Sequence, residues 1–125
     1  MNILLDTHIL LWALNDDPKL TSYARNMIDK SSNIYVSAAS IWEISIKQNI
    51  GKLEADVSVI VEHIDALGIE QLAINWQHAA NVNQLPLHHK DPFDRMLIAQ
   101  AISEPLVLLT NDQQLKPYSE LVQLI

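Results

Sequence analysis

The stretch Leu87–Ala101, LHHKDPFDRMLIAQA, decides the fold because it changes from loop to helix at Asp91. Asp91 is a good N-cap residue, and Pro92 falls at the first helical position, where a missing N–H group has no consequence. One helix face then follows the i, i+3, i+4, i+7 spacing of a buried stripe, with members Asp94, Leu97, Ile98 and Ala101. A charge that heads a buried stripe needs a partner, because burying it alone is unfavourable. The stretch therefore predicts a helix that carries an acid to the edge of the core.

Length and composition predict a single domain over residues 1–125 and exclude several kinds of site. The chain has 125 residues, of which 49% are hydrophobic, as in ordinary globular domains. It has no cysteine, which excludes disulfides, thiolate metal sites and cysteine nucleophiles. Two glycines are too few for a P-loop or a dinucleotide fingerprint. Because no apolar run is long enough to span a bilayer and the start lacks the basic region of a signal peptide, we expect a cytoplasmic protein.

The formal net charge of −7 limits the ways in which the protein can meet nucleic acid. It argues against binding through a broad basic face. It does not argue against an enzyme that meets phosphates through bound cations, because acids gathered in one cleft attract divalent metal ions.

Strand-like and helix-like segments alternate along the chain. Apolar runs at 2–5, 34–36 and 106–109 predict strands, and 69–74 and 121–125 are weaker strand candidates. Helical patterns cover about 8–14, 21–30, 41–48, 57–67, 76–85 and 92–104, with a short turn or helix at 113–118. This alternation predicts an α/β fold with a mostly parallel central sheet of four to five strands and helices on both sides.

Acidic residues lie where several of these segments reach one edge of the sheet. Asp6 and Asp112 follow predicted strands directly, and ligands of open parallel sheets bind outside the carboxyl ends of the strands. Glu43 lies on the helix after the 34–36 strand, and Asp94 lies on the first turn of its own helix. We therefore expect these carboxylates to converge. Carboxylates without cysteine or a helical His pair suit hard cations such as Mg²⁺ or Mn²⁺.

Each acid also has a purely structural interpretation. Asp6 can cap the first helix, and Glu43 has capping-box spacing from Ser40. Asp94 can favour the helix dipole, and Asp112 can be an ordinary turn residue. For each acid taken alone, the structural interpretation is a reasonable alternative to metal binding. The joint fit of the acids to one sheet edge favours the functional interpretation.

For the residues around the Asp94 turn, the preferred interpretation is structural. The N-cap role is preferred for Asp91, with metal binding as the alternative. Arg95 is interpreted as a surface charge, or as a group that reaches a substrate phosphate or pairs with a site acid. The adjacent pair His88-His89 lacks the i, i+4 spacing of a helical zinc site, so we expect a solvent-facing or hydrogen-bonded loop pair. The remaining histidines are expected to be structural, and the tryptophans to lie mostly in the core; these are His8, His63, His78, Trp12, Trp42 and Trp76.

Motifs spread over essentially the whole chain resemble the PIN-domain family, and within it the VapC-like toxins of bacterial toxin–antitoxin systems. They are LLDTH around Asp6, SxxSIWEI around Glu43, DPFDRMLIAQA from Asp91 and LLTND ending at Asp112. The segment HHKDPFDR is the most specific of them, whereas LLDT or TND alone would be weak.

The resemblance implies a PIN-like three-layer fold and a ribonuclease that depends on Mg²⁺ or Mn²⁺. The family's acids fall on Asp6, Glu43, Asp94 and Asp112 in this sequence, which would be both catalytic and metal-binding. Asp91 and Arg95 are additional candidates. The resemblance further implies an RNA substrate, a homodimer, and a small antitoxin protein that blocks the acidic cleft.

Two alternatives remain open beside this interpretation. One is a catalytically silent PIN-like module that binds RNA or a partner protein, although all the family's acids are present. The other is a receiver-like phosphoacceptor domain, which needs paired acids after its first strand. Here Leu5 and Thr7 flank Asp6, which disfavours the receiver.

Overall fold

A five-stranded parallel sheet forms the centre of the computed structural model, which describes residues 1–125. Its strands are β1 (Asn2–Leu5), β2 (Asn33–Ser37), β3 (Glu70–Leu72), β4 (Val107–Thr110) and β5 (Val122–Leu124). They lie in the order β3-β2-β1-β4-β5, and every neighbouring pair is parallel. The predicted parallel α/β sheet is confirmed.

Helices connect the strands, as parallel pairing requires. They are α1 (Thr7–Leu14), α2 (Ser22–Lys30), α3 (Ala38–Asn49), α4 (Val57–Ala66), α5 (Trp76–Val82) and α6 (Pro92–Ser103), with a 3₁₀ helix at Gln113–Tyr118. None of them combines the length and the apolar character that crossing a bilayer requires.

The central strand β1 is buried on both faces and separates two hydrophobic clusters. Ile3 and Leu5 pack into one cluster with Ile9 and Ile44, and Leu4 packs into the other with members of α6. Successive strand residues point to opposite faces, so one short apolar run serves both clusters. The sheet is therefore the middle of three layers.

Helix α3 begins three residues earlier than predicted, at Ala38 rather than Ile41. The hydroxyl of Ser37 accepts a hydrogen bond from the Ala39 N–H at 3.0 Å and caps the helix as soon as β2 ends. Ser40 consequently lies inside the helix and is buried. The capping-box interpretation of Ser40 and Glu43 is wrong.

The prediction that the tryptophans lie mostly in the core is wrong for Trp42 and Trp76. Trp42 is 60% exposed and Trp76 is 94% exposed. In α5 the side chain that turns inward is His78, and a residue two positions earlier on a helix projects to a different side. In α3 the buried positions are Ala39, Ser40, Glu43 and Ile44, which leave Trp42 outside the stripe.

Candidate active site

The carboxyl ends of β1 and β4 bring two of the predicted acids to one sheet edge. Leu5 pairs with Leu109, and the N–H of Asp6 donates to the Leu109 carbonyl at 3.0 Å. Thr110, the last residue of β4, donates its hydroxyl to Asp6 Oδ2 at 2.6 Å. The same hydroxyl accepts from the N–H of Asp112 at 3.1 Å. One threonine thus ties the Asp6 and Asp112 segments together.

Asp6 and Asp112 each divide their two oxygens between a local cap and this edge. Asp6 Oδ1 accepts from the Thr7 N–H at 2.6 Å, and Asp112 Oδ1 accepts from the Gln114 N–H at 2.9 Å. Each second oxygen, Oδ2, is directed to the shared edge, toward Thr110 in one case and toward His89 in the other. The structural and functional interpretations of these acids are therefore compatible.

Glu43 reaches the same edge from α3. It is buried, and its Oε2 forms an ion pair with Lys47 Nζ at 2.8 Å, one helical turn away. A buried hydrogen bond of 2.9 Å from Thr7 Oγ1 to Ser40 Oγ holds the start of α1 against α3. Ser40 thereby positions the helix that carries Glu43 rather than capping it.

Burial dominates the electrostatics of Asp6. It raises the pKa of this carboxyl, while the hydrogen bonds from Thr110 and Thr7 oppose the rise. The negative charge of Glu43 adds to the increase, so the two acids lie close enough to influence each other. Such an arrangement stores repulsion that a cation relieves.

Asp94 enters the group from the first turn of α6. Burial raises its pKa to about 7, and the negative charge of Asp6 is the next cause. Asp91 contributes less, and its main role is the predicted one: its Oδ1 accepts from the N–H groups of Phe93 and Asp94, at 2.9 and 3.0 Å. Asp91 is confirmed as the N-cap of α6.

His89 lies between two of the acids, a role that the sequence analysis missed. Its Nε2 is 2.8 Å from Asp94 Oδ2 and 4.0 Å from Asp112 Oδ2. Burial lowers the pKa of His89, but the hydrogen bond and charge of Asp94, with the charge of Asp112, outweigh it and leave the pKa raised. Of the predicted loop pair His88-His89, the second histidine is therefore hydrogen-bonded to a site acid. No regular spacing in the sequence predicts this contact, because an irregular loop brings His89 to Asp94.

Arg95 has a structural role and does not bind a site acid. Its guanidinium donates to four backbone carbonyls and to the hydroxyl of Tyr118, at 3.0 to 3.3 Å. The carbonyls belong to Val82, Leu85, Pro86 and His89. Tyr118 also accepts from the His89 N–H at 2.8 Å. Arg95 and Tyr118 together hold the loop that presents His89.

The donor atoms at this edge fit a hard divalent cation. One ligand atom from each of His89, Asp94 and Asp112 lies within 4.8 Å of the others. All the available donors are oxygen or imidazole nitrogen, which suits Mg²⁺ or Mn²⁺ better than a thiolate-seeking metal. The raised pKa of His89 favours a positively charged imidazole between the same two acids.

A family model for the PIN domain matches residues 3–121. The chain belongs to the PIN domain family. One relative of this PIN protein is Ribonuclease VapC22 of Mycobacterium tuberculosis (strain ATCC 25618 / H37Rv), which is 26% identical over 93% of this chain and 91% of its own length.

Solved structures with the same PIN fold cover all of this chain. One is VapBC2 from Rickettsia felis bound to a DNA fragment from its promoter, with a TM-score of 0.70, 18% identity and 98% coverage of that chain. Another is DNA-bound VapBC from Salmonella typhimurium, with a TM-score of 0.70, 18% identity and 97% coverage of that chain. Likeness at this level of identity demonstrates the shared fold.

Proposed function

We propose that this PIN protein is a metal-dependent endoribonuclease of the VapC type, acting as a single domain over residues 1–125. The observation that carries the proposal is the coupled acid cluster, in which a carboxyl with a pKa of about 7, Asp94, is influenced by buried Asp6. Strongly shifted carboxyls in a cluster are typical of functional sites. The name of the relative, a ribonuclease, supports RNA as the substrate.

In this proposal Asp6, Glu43, Asp94 and Asp112 hold Mg²⁺ or Mn²⁺. The oxygen-rich donor set supports such ions. When bound, the ion supplies charge that polarises the phosphodiester, lowers the pKa of an attacking water and offsets charge on the leaving oxygen. Because burial raises the pKa of Asp94 to about 7, an ion would compete with a proton for this carboxyl.

Residues of the chain itself transfer the protons and hold the site residues in position. One carboxylate of the cluster accepts a proton from the attacking water as the water oxygen bonds to phosphorus. The bond from phosphorus to the leaving oxygen breaks, and the leaving oxygen takes up a proton from solvent. Lys47 holds Glu43 in place through their ion pair, and Arg95 with Tyr118 holds the loop of His89.

We also propose that the nuclease is the toxin of a toxin–antitoxin pair, with a cognate antitoxin protein as partner and a homodimer as the assembled form. The neighbours described as VapBC complexes support a partner of the antitoxin kind. With a net charge of −7 and acids at the site, an inhibitor that brings Arg or Lys into the cleft is favoured electrostatically.

The test of the nuclease is Mg²⁺-dependent cleavage of single-stranded RNA by purified wild type and Asp94→Asn protein. We expect Asp94→Asn to lose about a hundredfold or more in rate, because it removes a ligand and a proton acceptor from the cluster. Trp76→Leu, which changes an exposed residue outside the cluster, is the matched control. Equal rates for wild type and folded Asp94→Asn would remove Asp94 from the mechanism.

A further inference from the structure

A cavity of about 330 Å³ lies between α3, α5 and α6. We call it the aromatic pocket; the lining residues that matter here are Trp42, Phe93, Lys90 and Arg95. None of these side chains has a part in the proposed metal chemistry. The pocket therefore calls for an explanation of its own.

The aromatic rings of the pocket are available to a ligand. The rings of Trp42 and Phe93 meet edge to face, with centroids 5.1 Å apart and an interplanar angle of 75°. Trp42 nevertheless remains 60% exposed. Leaving so large an apolar side chain in water is unfavourable by about 25 cal/mol per Å² of exposed surface, and unlike Trp76 the exposed ring of Trp42 lines a cavity of ligand-binding size.

Two residues of the aromatic pocket directly precede proposed metal ligands in the chain. Trp42 precedes Glu43 on α3, and Phe93 precedes Asp94 on α6. Consecutive Cα atoms are about 3.8 Å apart, so the backbone of each aromatic residue adjoins the backbone of a proposed metal ligand. Side chains of consecutive helical residues project about 100° apart, so the aromatic pocket and the acid cluster are separate surfaces carried by the same two helices.

The charges around the pocket distinguish it from the larger apolar groove of the protein. That groove, about 620 Å³ between α3, α4 and β3, has Asp65 and Glu70 as its charged lining residues. The aromatic pocket is instead lined by Lys90 and Arg95, two of only eight Lys and Arg residues in a chain of net charge −7. Trp42 lines both cavities. A flat ring stacked on Trp42 that carries an anionic attachment is attracted toward Lys90 and Arg95 and repelled by Asp65 and Glu70.

We propose that the aromatic pocket binds an unpaired nucleobase of the RNA strand next to the phosphodiester that is cleaved. The base stacks on Trp42, and exposed Lys90 meets a backbone phosphate. Stacking on an aromatic side chain together with a nearby cation is the usual way to hold single-stranded nucleic acid. The inference rests on the proposed ribonuclease function and adds a binding site for one base of the strand.

The test measures binding separately from cleavage. Fluorescein-labelled short homopolymers of A, C, G and U are titrated in EDTA, which prevents metal-dependent cleavage, with wild type, Trp42→Leu, Trp42→Phe and Trp76→Leu proteins, and anisotropy is followed. Gels check that each strand stays intact, and thermal unfolding checks each fold. Trp76→Leu is the matched control, because Trp76 is 94% exposed and does not line the pocket.

We expect Trp42→Leu to weaken binding of at least one homopolymer about tenfold or more, the loss of one stacked base. Trp42→Phe should keep most of the affinity, and Trp76→Leu should match wild type. Equal affinities for Trp42→Leu and Trp76→Leu would overturn the proposal. So would a failure of Trp42→Phe to retain binding, or no binding of any homopolymer by wild type.

The same variants separate this inference from the nuclease itself. RNA cleavage by wild type with unchanged binding by Trp42→Leu would refute the pocket and leave the nuclease standing. The expected binding pattern without any metal-dependent cleavage would do the reverse. If Trp42→Leu loses a co-purified protein partner but keeps its RNA affinity, the pocket is a protein-docking surface and the proposal fails.

Discussion

Two histidine–carboxylate pairs in this protein have nearly the same geometry and different surroundings. His78 Nε2 lies 2.7 Å from Glu104 Oε2, and His89 Nε2 lies 2.8 Å from Asp94 Oδ2. His78 is fully buried, and its Nδ1 accepts from the Asn75 N–H in the capping box of α5. Both ring nitrogens of His78 are therefore committed to the fold.

The pair at His89 differs because further acids surround it. Asp112 is 4.0 Å from the same imidazole nitrogen, and the charge of Asp6 contributes to the raised pKa of Asp94. A single pair of opposite charges is stable. Several carboxylates that are partly removed from water repel one another, so the cluster around His89 responds to cations and to protons. The groups around a His–carboxylate contact therefore determine whether that contact stabilises the fold or takes part in chemistry.

The largest expected effect separates the two histidines by stability. His78→Ala should lower the free energy of unfolding by about 3 kcal/mol, because it leaves a cavity and unpaired polar partners. His89→Ala should lower it by less, about 1 kcal/mol, because the His89 side chain is 18% exposed whereas that of His78 is 1% exposed. Urea unfolding measures both. Similar losses for the two variants would break the distinction between a supporting and a reactive pair.

The second prediction concerns the stability of the metal-free protein as pH changes. The pKa of Asp94 rises from 3.8 to about 7 on folding, so protonated Asp94 contributes stability that is present below pH 3.8 and is lost as pH rises through about 7. The raised pKa of His89 acts in the same direction, because its contribution is lost above its folded pKa.

We therefore expect the free energy of unfolding in EDTA to fall as pH rises from about 4 to about 8, by an amount on the order of 2 kcal/mol. Denaturant unfolding across this range measures the slope. Asp94→Asn should flatten it, and Glu104→Gln, at the other pair, should leave it unchanged. A wild-type protein whose stability rises steadily over this range would contradict the raised pKa of Asp94.

The smallest effect is on metal affinity. Because Asp94 must lose its proton to bind a cation, Mn²⁺ affinity should fall about tenfold between about pH 8 and about pH 6. Titration calorimetry of wild type measures the change, and Glu104→Gln should reproduce it. Affinity independent of pH would show that Asp94 does not bind the ion. No detectable Mn²⁺ binding at millimolar concentration would favour the catalytically silent module instead.

Features that depend on nearby residues were predictable from the sequence. Asp91 and Pro92 specify the start of α6, because a cap and its helix lie within a few residues. The start of α3 was missed, although its signals are equally local. Ser37 and Ser40 are both suitable caps, and the choice between them depends on where β2 ends.

Features that depend on packing were less accessible. Trp42 and Trp76 were expected inside, but hydrophobicity alone does not specify which helix face meets the sheet. His89 was missed because its partner Asp94 is reached through an irregular loop held by Arg95 and Tyr118. Irregular segments have no period from which a contact can be deduced.

By itself the sequence determined the parallel α/β class, the cap of α6 and the four acids to consider, since period, capping chemistry and residue type are local properties. The tertiary structure decided that β4 lies beside β1, and so that Thr110 joins Asp6 and Asp112. It also decided that His89 lies between two acids and that Trp42 stays exposed beside them. These are contacts between segments far apart in the chain, and the packing of the whole sheet and its helices is what brings them together.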